Sequence, residues 1–202
     1  MLSVRSPNKV ELHNLFASIH AKFINVSRIA TWVGGGALLL SAIMVTLDVL
    51  SRKMIGFTIS GSDEISGYVF AASTTWAYSY CLLTRANIRI DAFYNILSLR
   101  SKAILDVIGL LLLLYYIYLL TTNAMGMFLE NVEYNSSAQT TLATPLWIPQ
   151  IFWMSGLWFF LLSLTFLAVY SLSAFIKRDW ACINRIIGVK SVEEEISEET
   201  HV

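Results

Sequence analysis

The chain has 202 residues, 56% of them hydrophobic and only 14% charged, and its 14 Lys and Arg balance its 14 Asp and Glu. A net charge of zero gives a nucleic-acid partner no electrostatic support. Long apolar runs at Ile29–Leu50, Ser66–Leu83, Ala103–Met125 and Pro149–Leu172 leave no room for a separate soluble domain of usual size. Each run comes close to or exceeds the roughly 20 helical residues that cross a hydrocarbon core. The chain therefore reads as an all-α membrane protein with four transmembrane helices: segment 1–28, a four-helix domain over 29–175, and a tail over 176–202.

The first apolar run begins too late, and is too long, for a cleaved signal peptide. Leu12, Leu15, Phe16, Ile19, Phe23 and Val26 recur at helical spacing. They predict a short N-terminal amphipathic helix in the membrane interface, or else the amphipathic start of the first span itself. Span one carries Ala30, Gly34, Ala37 and Ser41, small residues that let another helix approach closely. Near its end stand Asp48 and Arg52, four apart and so on one helix face. They can pair with each other, or Arg52 can reach Glu64 across the loop.

In Ser60-Gly61-Ser62-Asp63-Glu64 the pattern predicts a helix start, with Ser62 as cap and Asp63 and Glu64 in the first turn, where the dipole favours acids. This start predicts a short interfacial helix before span two. Span two is the most polar, with Ser73, Thr74, Thr75 and Ser79 among Gly67, Ala71, Ala72 and Ala77. Its hydroxyls can bond back to their own helix, so its polarity is inexpensive and its natural neighbour is protein.

Between spans two and three, Arg89 and Asp91 lie two apart. They share a side if the segment is extended and diverge if it is helical. Span three holds the leucine run Leu110–Leu114, and span four the aromatics Phe152, Trp153, Trp158, Phe159, Phe160 and Phe166. Both look lipid-facing, and the small residues of spans one and two, Gly34 and Ala71 among them, offer the close packing that a helix interface needs. Thr144-Pro145 and Pro149 predict the start of the last helix. Of the 14 Lys and Arg, all but Arg52 and Lys53 flank the spans on one side, which places both termini in the cytoplasm.

No catalytic, cofactor-binding or metal-ligating set is visible. His13, His20 and His201 all lie outside the spans, which disfavours a bis-histidine haem anchor, and no nucleotide or metalloprotease motif occurs. Cys81 and Cys182 both fall on the cytoplasmic, reducing side, where a disulfide is not expected.

Three patches in order carry a family resemblance: Asp48-Val49-Leu50-Ser51-Arg52 with Gly56 and Ser62-Asp63-Glu64-Ile65; Arg85-Ala86-Asn87-Ile88-Arg89-Ile90-Asp91; and Thr144-Pro145-Leu146-Trp147-Ile148-Pro149. Together they resemble the small, DctQ-like membrane subunit of tripartite ATP-independent periplasmic (TRAP) transporters over about residues 28–175. The sequence departs from that pattern at Gly61, where tryptophan is usual, at Asp63 in place of a glutamate, and at Asn87, where histidine is common. The resemblance implies a non-enzymatic subunit without cofactors in the bacterial inner membrane. It would belong to a sodium-coupled transporter for organic acids such as dicarboxylates or sialic acid, bind the large membrane subunit and help dock the periplasmic substrate-binding protein. Two alternatives stand beside it: a self-contained homodimeric four-helix exporter, and a haem-free anchor of a respiratory complex.

Overall fold

The computed structural model describes residues 7–86 and 97–188, with side chains from residue 16 onward. Five helices follow one another among these residues: α1 (Pro7–Met54), α2 (Ser62–Leu83), α3 (Leu99–Glu133), α4 (Trp147–Ile176) and α5 (Trp180–Ile187). Three of them hold stretches long and apolar enough to cross a membrane: Phe16–Met54, Leu99–Glu133 and Trp147–Ile176. The 22 residues of α2 would also reach, at about 33 Å, but its Ser, Thr and Tyr keep it outside that class by composition.

The segment ahead of span one is not a separate helix. α1 runs unbroken for 48 residues, about 72 Å, through the boundary expected at residue 28. No proline interrupts α1 after Pro7, so nothing removes a backbone donor or forces a kink. Its amphipathic beginning packs on α4 rather than lying free. Phe16 stacks on Tyr170 and Phe166 at ring-centroid distances of 3.5 and 4.7 Å, and Phe23 on Phe166 and Phe159 at 5.4 and 5.5 Å. The expected interfacial helix before span two is likewise absent, because α2 starts at Ser62 and continues to Leu83 without a break.

The principal helix contacts run α1 to α2, α2 to α4 and α4 to α3, with α5 packed on α3 and α4. Gly34 lies opposite Ser73 and Phe16 opposite Tyr170, so α1 is antiparallel to α2 and to α4. One end of the bundle gathers the α1–α2 and α3–α4 loops. The other gathers the start of α1, the end of α4 and α5.

α4 is the central helix. It buries Met154, Gly156, Leu157, Phe160, Ser163, Leu164, Leu167, Ala168, Ser171 and Ala174. The main apolar core joins it to Leu82 and Leu83 of α2, Val107, Leu110 and Ile117 of α3, and Ile183 and Ile187 of α5. This corrects the expectation of a lipid-facing fourth span. Its aromatics serve α1 and α2 instead, with Phe159 stacking on Trp76 at 5.3 Å. The small Gly156 lets α2 close in, with Thr75 and Trp76 standing where its side chain would be. α3 does expose much of its leucine and tyrosine run, including Leu112, Tyr115 and Tyr116.

The seam between α1 and α2 has a seven-residue period, Ser27, Gly34, Ser41 and Asp48, which returns one stripe of α1 to the same neighbour. Three of the four are buried and small enough, or polar enough, to need close backbone contact or a partner. Ser73 donates to the Gly34 carbonyl at 3.1 Å, and a Cβ at Gly34 would lie 3.1 Å from that of Ser73.

Candidate functional site

The polar groups singled out in the sequence converge at the loop end. Asp48 closes the last buried turn of α1 and is only 1% exposed. One carboxylate oxygen accepts the backbone N–H of Ile59 at 2.5 Å; the other accepts Arg52 Nη2 at 2.5 Å and the Ser62 hydroxyl at 3.1 Å. The four-residue spacing thus makes the Asp48–Arg52 pair, not an Arg52–Glu64 bridge. A buried carboxylate is tolerated because both its oxygens are satisfied by donors, one of them cationic. The sequence could suggest the Arg52 partnership; Ile59 and Ser62 carry no local signal, since only the path of the loop brings them in.

α2 starts where expected, with Asp63 and Glu64 in its first turn. The expected cap is corrected: Ser62 is the first helical residue and gives its hydroxyl to Asp48. The capping position belongs to Gly61, whose φ of +88° lies in the left-handed region open to glycine. The Leu142 side chain fills the space a Cβ there would need, so the departure from tryptophan at this position suits a loop that closes over it.

Glu64 reaches across to the α3–α4 loop. It accepts hydrogen bonds from the Thr140 hydroxyl and from Tyr68 OH, the latter at 2.7 Å. Thr140 and then Tyr68 hold its carboxyl below the usual glutamate range, against a smaller opposing push from desolvation. Ser60 donates to Thr141 at 2.6 Å. The α3–α4 loop is itself tied, with Ala138 N–H on Thr144 O at 2.9 Å and Leu146 N–H on Ser136 O at 3.0 Å. The two loops form one interlocked cap, and Asp63 stands exposed on its surface.

Of the other singled-out residues, Gly34 sits in the α1–α2 seam, and Ala71 is half-buried in α2 with its carbonyl accepting from Thr75. Arg89 and Asp91 lie outside the described residues. An apolar cleft of about 480 Å³ opens beside the seam, lined by Gly34, Ala37, Tyr68, Ser73, Trp76 and Phe152 among others. Asp48 and Asp106 are the buried carboxylates among the described residues, and both stand near helix ends rather than at mid-bilayer. His20 stacks on Phe16 in α1.

Long apolar helices, a tied polar cap and serine and threonine hydroxyls turned back on their own helices define a small helical membrane protein built for packing. Residues 41–177 match the family described as tripartite ATP-independent periplasmic transporters, DctQ component. The chain belongs to that family, a transporter component rather than an enzyme family. The match takes in the whole cap, α2, α3 and α4. No curated protein and no solved structure matched the chain.

Proposed function

We propose that this chain is the small scaffold subunit of a sodium-coupled TRAP transporter for organic acids in the bacterial inner membrane. In this reading it crosses the membrane four times, α2 included, with both termini in the cytoplasm and the loop cap outside. It binds the large transport subunit and helps dock the periplasmic substrate-binding protein. The observation that carries the reading is that Asp48, the buried acid of the capped end, has its carboxylate oxygens committed to Arg52, Ile59 and Ser62. A carboxylate held in that way is a structural tie, and proton- or sodium-coupled transport needs one that can exchange its partner. The self-contained exporter loses its best acid on the same ground.

The exposed face of α1 is the surface for the large subunit. Trp32 is 79% exposed, and Val33, Leu39, Leu40 and Ile43 continue the face. Gly35 and Gly36 sit on the same side with open space above them, where a neighbouring helix gains close backbone contact. The apolar cleft adjoins this face through Val33, Gly34 and Ala37. Gly34 itself packs on α2, where Ser73 stands close to the place a Cβ would take.

Two experiments test the proposal. The chain reconstituted alone in liposomes takes up no organic acid under a sodium gradient; uptake without another subunit overturns the scaffold role. Gly36→Leu lowers co-purification of the large subunit at least severalfold, whereas Leu112→Ala on α3 leaves it unchanged. The reverse pattern moves the interface to α3.

A further inference from the structure

The end of the bundle opposite the cap has a second built feature. A cavity of about 510 Å³ opens where the start of α3, the end of α4 and the start of α5 meet, lined by Arg100, Phe175, Ile176, Arg178 and Trp180. Its two cations come from different parts of the chain, one from a helix and one from a turn. Arg100 is the second residue of α3, just ahead of the apolar stretch, so its guanidinium stands at headgroup depth beside the positive end of the α3 dipole. Arg178 sits in the turn between α4 and α5 with a φ of +54°, its N–H bonded to the Phe175 carbonyl at 3.0 Å. The neighbouring acid, Asp179, is turned away to cap α5, accepting the Cys182 N–H at 3.1 Å. Trp180 meets Phe175 edge to face at 5.4 Å, forming an aromatic wall of the kind found at membrane interfaces.

One side of the cavity continues along the bilayer face of α4. Val169, Leu172 and Ile176 are spaced three and four apart, all exposed, and Ile176 is 82% exposed. The charge calls for an anion, and the stripe calls for a chain attached to it.

We propose that this cavity binds an acidic phospholipid, its phosphate between Arg100 and Arg178 and its acyl chain along Val169, Leu172 and Ile176. Guanidinium groups match phosphate oxygens in pairs, and basic pockets between spanning helices on the cytoplasmic side suit such headgroups. The inference rests on the membrane reading of the chain but not on its role in transport.

The test uses the purified full chain in neutral detergent with equal phosphatidylglycerol and phosphatidylethanolamine, the retained lipid counted by native mass spectrometry. Wild type retains phosphatidylglycerol in preference by about thirtyfold, the scale two interfacial arginines supply. R100Q/R178Q loses that preference, and excess inorganic phosphate leaves it intact in wild type. Equal retention of the two lipids by wild type overturns the proposal, and that arm does not depend on the folding of any variant. An undiminished preference in the double variant overturns it too. Displacement of the lipid by inorganic phosphate would show a free-anion site and overturn the lipid assignment.

Discussion

α1 and α4 are alike in hydropathy and opposite in place. In the most apolar stretch of α1, 11% of residues are buried within the protein; in that of α4, 44% are. Inside a bilayer the neighbour of an apolar side chain can be lipid or protein at nearly the same free energy, so hydropathy marks a span without saying what surrounds it. The distinction lies in small residues and their spacing. α4 carries Gly156, Ser163, Ala168, Ser171 and Ala174 on its buried side, with its large aromatics reaching outward to clasp α1 and α2. α1 spends one small-residue stripe on α2 and leaves Gly35 and Gly36 facing open space.

The strongest test of the contrast is a matched pair of glycines. Gly156→Leu forces a side chain into Thr75 and Trp76 and should cost about 3 kcal/mol in unfolding of the chain in mixed micelles. Gly36→Leu should cost under about 0.5 kcal/mol in the same assay and act only on partner binding. Equal costs would erase the difference between the two helices.

Next in size is the tie that fixes α1 to the cap. Asp48→Ala leaves the Ile59 N–H and the Arg52 guanidinium without their acceptor and should lower the unfolding midpoint clearly, with Asp48→Asn in between because an amide still accepts. An unshifted midpoint for both would mean the cap stands without its carboxylate.

A smaller effect sharpens how the start of α1 is held. Phe23→Ala removes stacking on Phe159 and Phe166 and should cost about 1 kcal/mol, while the exposed Trp32→Ala should leave the midpoint unchanged. The same Trp32→Ala exchange should weaken association with the large subunit.

The smallest effect is at the cap surface. Thr140→Val removes the first donor holding the Glu64 carboxyl below its usual range. Because the folded value is depressed, this hydrogen bond stabilises the fold at neutral pH, and its contribution is lost as the pH falls through the folded value. Wild type and variant should therefore differ slightly at neutral pH and converge below the ordinary carboxylate range.

Sequence by itself determined the helices, because apolar length and local spacing are properties of consecutive residues. Ile29–Leu50, Ser66–Leu83, Ala103–Met125 and Pro149–Leu172 each fall within one helix, and Asp63 and Glu64 occupy the first turn of α2. The Asp48–Arg52 pair was open to sequence because four residues make one helical turn. Tertiary structure alone decided that α4 is central, that α1 runs unbroken from its amphipathic start, and that Ser62 serves Asp48 instead of its own helix. It also joined Glu64 to Thr140 and Ser60 to Thr141, partners 76 and 81 positions apart. Such contacts depend on how two loops meet in space, and no local pattern records that. Burial was hidden for the same reason: a leucine or phenylalanine facing lipid and one facing another helix are written alike.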